Sequence, residues 1–550
     1  MMKRGFATLF LVVLQVSISG KVLGSTSEVV QPDSTGEWVI TIHAGHLDRT
    51  QTPVRVSFPF PIEDGVYELR RPAQQRRAMQ PGERMQRRQE MREQRMLMQQ
   101  VGPNHPIPGV IQVQDQRGLL VLPLLPAGRS MELVMSLAPV EGVQWSREGD
   151  QQGVEANQQP DERDQQTGAG ASGDSGQVGH GIRHETSDTR LSFLKGDRPL
   201  FSYLHETEPV PPGVDERHER GGYIYPLHTP SGRNVVQHFN DGRPHQYALW
   251  STWYRTEVDG ELVTFWSSLD EDGRVRPEGV RQVSEGPVGA SFVAKNSYFD
   301  LVPVGESTRS LEVWTGGGQE GESSYFSMEP ILNETWQVTM VPDLGRVLPT
   351  PSGDQNTRGG QNFQGRGRMM GGPAGNTDAA ADEPGRYHLL DIVLTQEVAG
   401  EKEVKILEGG YGGISLRGPD EWNRDGAMTF LSSEGHQRST VQNQPIRWGQ
   451  LSGELEGEMA GIAILAAPPS VDSPLHPGAP MGGFINLSAE PFFSLGPATL
   501  GEFLITPGTP WRAHYRVVVH DGELPARVLD RIWNDLASPP VVEVSRQLSE

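Results

Sequence analysis

Between Gly221 and Ser268 the chain places His228, His238 and His245 among Tyr223, Tyr225, Trp250, Trp253, Tyr254 and Trp266. Aromatic faces stack on the C–H faces of sugars. Imidazoles and carboxylates supply hydrogen bonds and exchange protons near neutral pH. The segment therefore holds the residue types of a site for carbohydrate. The same residues also have a packing use, as tryptophans inside a β-core and histidines at strand ends. A second segment runs from Glu408 to Arg417 and reads Glu-Gly-Gly-Tyr-Gly-Gly-Ile-Ser-Leu-Arg. Its glycines permit positive φ and close backbone approach. Glu408 offers an acid or base and Arg417 an anion-binding group, or the two flank a bulged strand with a surface ion pair.

Other chemistry is missing from these segments. No Lys-Ser or Lys-Thr follows the glycines, so they form no phosphate loop. A G-x-S-x-G elbow and an H-E-x-x-H helix are also absent, and no cofactor motif appears. His218 and Glu219 fall in an acidic, proline-rich loop and read as solvated. His228, His238 and His245 are spaced for separate strands or loops, and would make a metal site only if folding brought them together. No metal ligand is assigned.

The elements that must position these residues are mostly strands. Alternating runs occur at Trp38–Ile42, Val54–Phe58 and Met131–Met135, with a short buried run at Gly118–Leu122. They predict a small β-domain over residues 25–146. An Arg/Gln-rich insertion at 70–108 interrupts it and reads as a solvated, partly helical segment or a basic arm. Residues 147–189 have almost no large apolar side chains and read as a disordered linker. Further strands are expected at Leu262–Trp266, Leu311–Trp314, Thr335–Met340, Leu389–Leu394, Ile462–Leu465 and His514–Val519. An insertion at 351–385 separates two of these strand-rich regions. Turn signals include Asp259-Gly260 and Asp521-Gly522. One helix is indicated, with Pro525 near its start and Val528, Leu529, Ile532, Trp533 and Leu536 at helical spacing. Many strands and one late helix predict an all-β chain, a large antiparallel β-sandwich over residues 190–540.

Bulk composition sets the remaining bounds. The 550 residues carry a formal charge of −22, which opposes nonspecific nucleic-acid binding. The absence of cysteine excludes disulfides, thiolate metal sites and cysteine nucleophiles. Lys3 and Arg4 precede an apolar run from Phe6 to Val16 and a plausible cleavage site before Ser25. This pattern predicts a secretory signal over residues 1–24 and a periplasmic or extracellular location. No later segment is apolar enough to cross a membrane.

Over roughly residues 198–538 the chain resembles a family of exported bacterial proteins labelled methane oxygenase (PmoA)-like. The resemblance rests on Tyr223-Ile224-Tyr225-Pro226, Arg243-Pro244-His245 leading to Leu249-Trp250, and Val258-Asp259-Gly260 leading to Phe265-Trp266. It continues through Asn333-Glu334-Thr335-Trp336, the Glu408–Arg417 stretch, Arg447-Trp448, Gly461–Ile464 and Val519-His520-Asp521-Gly522. The family has paired histidines where this chain has His245-Gln246. The resemblance implies a mutarotase-like supersandwich and a setting among bacteria that degrade complex glycans. The leading expectation is a hydrolase or lyase acting on carbohydrate. His245 and Glu408 are its proton-transfer groups; Arg417, Trp250, Trp253, Trp266 and His228 are its substrate contacts. The alternatives are a noncatalytic glycan-binding sandwich and, following the family label, a histidine–metal oxidoreductase.

Overall fold

The structure is a computed structural model that describes residues 36–59, 61–72, 109–136, 181–240, 242–267, 272–304, 313–316, 324–344, 386–409, 411–424, 426–469, 481–485 and 490–548. The expected signal, nearly all of the Arg/Gln-rich insertion and the insertion at 351–385 lie outside the described residues.

Two nine-stranded antiparallel sheets form the body of the protein. The first runs in the order Gln444–Ile446, Met481–Ile485, Phe492–Gly496, Gly412–Arg417, Leu249–Trp253, Tyr223–Leu227, Arg198–Leu204, Arg190–Lys195 and Ile182–Thr186. The second runs Gly273–Ser284, Ala290–Val304, Ser324–Leu344, Tyr387–Val398, Trp511–Asp521, Glu458–Ala466, Trp448–Leu455 and Met428–Ser432, with Val313–Gly316 paired beside Ser324–Leu344. One hydrophobic core draws on both sheets: Phe201, Tyr203 and Trp253 from the first, Phe292, Trp336 and Trp511 from the second. The molecule is thus the large antiparallel sandwich that the strand pattern implied. A four-stranded sheet, Glu261–Val263, Thr256–Val258, Val404–Ile406 and Phe503–Ile505, joins the same core.

A separate seven-stranded sheet runs Arg49–Ser57, Arg117–Leu125, Val110–Gln114, Gly65–Arg70, Ser130–Met135, Gly36–His43 and Val541–Leu548. It has its own core of Ile40, Ile42, Val54, Val56, Ile111, Leu120, Leu122 and Leu133. Its last member comes from the far end of the chain, a strand the sequence pattern did not mark. Two expected boundaries also shift. Ile182–Thr186, inside the stretch read as linker, pairs with Arg190–Lys195 and buries Ile182. In Leu262–Trp266 the strand stops at Val263, because Thr252 Oγ1 donates to the Phe265 carbonyl (2.8 Å) and Asp272 accepts from Thr264 N (3.1 Å).

The helix Ala526–Ala537 forms where helical spacing predicts it, with Pro525 as its N-cap. Val528, Leu529, Ile532 and Leu536 pack on Tyr387, Leu389, Trp448 and Val518 of the sandwich. Its Asp535 faces the small sheet. Asp535 Oδ1 accepts from Arg49 Nη1 at 2.8 Å and Oδ2 from Thr52 Oγ1 at 2.8 Å, with both charged side chains almost fully buried. Removing one partner strands the other charge out of water. Asp535→Ala is therefore expected to destabilise the protein by about 3 kcal/mol. Urea unfolding checks this, and an unchanged midpoint would refute it.

Candidate functional site

The register of the first sheet decides which residues meet. Trp250 lies opposite Ser415, and Arg417 opposite Phe492. Side chains alternate faces along a strand, and paired residues share a face. Trp250, Ser415, Arg417 and Phe492 therefore share one face of this sheet. Trp253, an odd number of positions from Trp250, points the other way into the sandwich. Loops fold over the Trp250 face. Trp266 comes within 5.5 Å of Trp250 and 5.3 Å of Phe492, centroid to centroid. Tyr411 stacks on Trp266 at 4.4 Å and 15°. His245 meets the edge of Trp266 at 6.2 Å, and His218 lies 6.3 Å beyond it. Gly412 and Gly413, with φ of 146° and 84°, let this strand begin so close beneath. A Cβ would come within 2.8 Å of Trp253 at the first and 2.7 Å of the Leu495 carbonyl at the second.

Arg417 is the charged group of this face and is only 1% exposed. Its Nη2 donates to Asn423 Oδ1 (2.9 Å) and Asp420 Oδ1 (3.3 Å). Its Nε and Nη1 are buried with no acceptor among the described residues. Asn240 donates to the same Asp420 oxygen, while its own Oδ1 and the Trp250 indole Nε1 are likewise buried without a partner. Arg243 and Glu490 pair at 3.4 Å near the rim. Phe239, beside Asn240, holds φ at 50°, a left-handed conformation unusual for a bulky side chain. Burial lowers the Arg417 pKa, against the opposing pull of Asp420 and Glu490. Burial also brings His245 down to about 4, helped by His218 and Arg243, and lowers His218 in the same direction. Both imidazoles are neutral at physiological pH, and burial keeps the Tyr411 hydroxyl protonated by raising its pKa.

The same desolvation acts on histidines elsewhere. It lowers His238, His514 and His520 to about 4 and His388 to about 3. The unfolded chain takes up these protons near pH 6.5, whereas the folded protein resists them until lower pH. Stability is thus full above about pH 6.5 and falls as pH drops toward 4. Asp343, held down to about 2 despite its burial by hydrogen bonds from Lys195 and Arg198, extends the loss into stronger acid. Thermal melting at pH 7 and pH 5 is expected to show a clearly lower Tm at pH 5; equal values would refute the assignment.

Ring contacts bring His245, Trp266 and Trp250 together, with Trp250 as fully buried backing, and Arg417 shares the sheet face that carries Trp250. The structure keeps the others apart. Trp253 cannot line a cleft: it is fully buried, and its Nε1 donates to Gln396 Oε1 at 2.6 Å inside the sandwich. There Gln396 belongs to a closed network around the buried Glu334 carboxylate. Oε1 accepts from Tyr298 OH (3.1 Å) and Gln396 Nε2 (2.9 Å), and Oε2 from Asn296 Nδ2 (2.9 Å) and Trp336 Nε1 (2.7 Å). Glu408 is exposed, and its side chain has no hydrogen bond or ion pair with a described residue. It lies on the loop before Tyr411, with its carbonyl accepting from Arg255. His228 follows the far end of strand Tyr223–Leu227, where its backbone N donates to Leu200. His238 stacks on Tyr225 at 3.7 Å and meets the Tyr223 hydroxyl at 2.9 Å. Among the described residues no three histidine, aspartate or glutamate side chains converge as metal ligands. His218, read as solvated, is only 1% exposed, because the turn Glu216–His218 packs inward and the His218 carbonyl accepts from Tyr247 OH. Sequence reasoning also missed Tyr411, Asn240 and Asp420 as site residues. The signals were the tyrosine amid four glycines and the Asp420/Asn423 spacing after Arg417.

No helix among the described residues is long and apolar enough to cross a membrane. No curated protein matches the chain. Among solved structures, the chain is similar to an α-mannosidase from Enterococcus faecalis V583, at 8% identity and a TM-score of 0.31. That likeness covers 94% of this chain but only 47% of the mannosidase, about half its length, and carries no argument about fold or activity. The resemblance to methane oxygenase (PmoA)-like proteins is overturned: the family model that matches is instead that of a family of unknown function, DUF6807. The match spans residues 190–354 and 376–534, more than half of the chain, and the protein belongs to that family.

Proposed function

We propose that the protein binds a carboxylate-bearing glycan at the Arg417 face and cleaves it by β-elimination. The observation that carries this reading is the buried Arg417 guanidinium, whose Nε and Nη1 have no protein acceptor among the described residues. Those two donors lie on different edges of the guanidinium, and each can give a charge-assisted hydrogen bond to an anionic oxygen such as a carboxylate's. Tyr411, half-buried where it stacks on the buried Trp266, supplies the aromatic face for a sugar ring. Pairing with Arg417 makes the proton on the carbon next to the sugar carboxylate more acidic. The neutral His245 imidazole accepts that proton. The C–H electrons form the new ring double bond, and the glycosidic C–O bond breaks. The departing oxygen takes its proton from the Tyr411 hydroxyl, which solvent then reprotonates. A hydrolase needs two carboxyl groups flanking the bond. Asp420 and Glu490, the carboxylates at this face, are engaged by Arg417 and Arg243, and Glu408 is exposed on the loop before Tyr411, which favours elimination. The expected secretory signal would place such an enzyme where extracellular glycans are found; N-terminal sequencing of the mature protein beginning at Ser25 tests it.

The test is incubation with pectate, alginate, glucuronate-containing glycans and neutral glycans, followed by mass spectrometry. Unsaturated oligosaccharides from acidic glycans alone support the proposal. Products heavier by one water would make the protein a hydrolase. Retention without products would leave a glycan-binding protein. His245→Ala is expected to lower kcat by about 100-fold or more, with little change in KM. In the wild type, the rate is expected to fall in acid with a midpoint near 4, the value burial gives His245. A midpoint near 6.5 would remove His245 from the role.

A further inference from the structure

We infer that the cleft between the seven-stranded sheet and the sandwich is a second glycan site, holding a stretch of chain away from the Arg417 face. This rests on the carbohydrate reading above. The cleft has a volume of about 710 Å³. Its floor is the outer face of the second sandwich sheet, where Gln282, Val293 and Gln337 form one cross-strand row and Ser284, Ser291 and Thr339 the next. Its roof is the small sheet, with Arg55, Ser57, Gln114 and Arg117.

The cleft is tied on two sides. On one, Gln112 Nε2 donates to the Glu285 carbonyl (3.2 Å) and Gln112 Oε1 accepts from Gly289 N (3.4 Å). On the other, Arg55 Nη2 reaches Asp391 at 3.3 Å, and Asp391 is itself clamped by Arg516 at 2.6 and 2.9 Å. Its width is therefore fixed by polar contacts between the two bodies.

The lining selects the occupant. Amides and hydroxyls both donate and accept, so a ligand must do both along its length. An apolar ligand would leave these groups unpaired at a cost. A peptide recognised by strand addition needs a free backbone edge. Here Val293 and Gln337 lie on strands paired on both sides, whereas Gly273–Ser284 and Arg49–Ser57 are the outer strands of their sheets, so a peptide added at those edges is the rival occupant that the titration below separates. Sugar hydroxyls meet the requirement; with Arg55 held by Asp391, Arg117 is the cation that favours a chain carrying carboxylates, with Asp115 beside it in the lining. The volume lies in the usual range for small-ligand sites, about 300–1,000 Å³.

Calorimetric titration of the full chain with oligogalacturonate and oligoalginate tests this, using Gln282→Leu, Gln337→Leu and Arg417→Lys variants whose melting curves are compared with wild type. The expected result is two sites per chain. Either glutamine variant weakens one of them by about tenfold or more while short oligosaccharides are still cleaved, and Arg417→Lys weakens only the other. A single site, lost in Arg417→Lys and unmoved by the glutamine variants, overturns the cleft assignment and leaves the proposed function standing. A single site lost only in the glutamine variants keeps the cleft and removes the Arg417 reading. Failure to bind any acidic glycan overturns both. Binding of a tryptic peptide mixture that Gln337→Leu abolishes would make the cleft a peptide site and overturn its assignment to glycan.

Discussion

Arg417→Lys is expected to weaken retention of an acidic glycan by about 100-fold and to reduce cleavage at least as much. Lysine keeps the charge but loses the separately directed Nε and Nη1 donors. Two charge-assisted hydrogen bonds, each contributing about 1.5–3 kcal/mol, are then replaced by one shorter-reaching ammonium contact. The loss falls on acidic glycans alone, so neutral glycans retained by the Tyr411 face provide the internal control. Affinity electrophoresis in gels containing pectate or a neutral glucan measures both. Equal retention of wild type and variant in pectate would show that the guanidinium does not meet the carboxylate. Equal weakening in both gels would point to collapse of the loop around Asp420 and Asn423, which Arg417 also holds.

Glu334→Ala is expected to cost about 5 kcal/mol, enough to leave much of the protein unfolded when expressed. Four buried donors, from Asn296, Tyr298, Trp336 and Gln396, lose this acceptor together; Tyr298 keeps only the longer bond to the Ser251 carbonyl (3.3 Å) and Gln396 that to the Tyr298 oxygen (3.4 Å). Each unsatisfied donor costs about 1–3 kcal/mol before relaxation, and the cavity adds more. Glu334→Gln keeps one acceptor oxygen but turns the other position into a donor facing donors, so it is expected to destabilise by a smaller but measurable amount. Urea unfolding ranks the three proteins. If alanine at this position were tolerated, the carboxylate would not be the hub that orders the core between the sheets.

Sandwich strands and the late helix were legible because their signals are local. Alternation in Thr335–Met340 and the spacing of Val528, Leu529, Ile532 and Leu536 each report which face is buried. The strand Val541–Leu548 was not legible, because its partner Gly36–His43 lies about five hundred positions away. The site was half legible for the same reason. His245, Trp266 and Arg417 stood out by residue type. Trp253 and Trp250 are the same residue three positions apart, and only the sheet register sends one inward to Gln396 and the other toward Trp266. His218 looked solvated because its neighbours are charged, yet the turn that carries it is folded against Tyr247. Sequence shows a side chain's chemistry, but which partner it faces is set by contacts between distant segments.

The pairing of Gly36 with Leu548, continuing inward to His43 with Val541, joins residues from opposite ends of the described chain along one antiparallel ladder. During synthesis the first strand must wait for residues 541–548, so the sandwich has the opportunity to fold while the seven-stranded sheet still lacks that edge. The same geometry decides how the protein yields to tension. Force applied at residues 36 and 548 meets the ladder at its open end. The pairs then separate in succession like a zipper, at far lower load than strands sheared along their length.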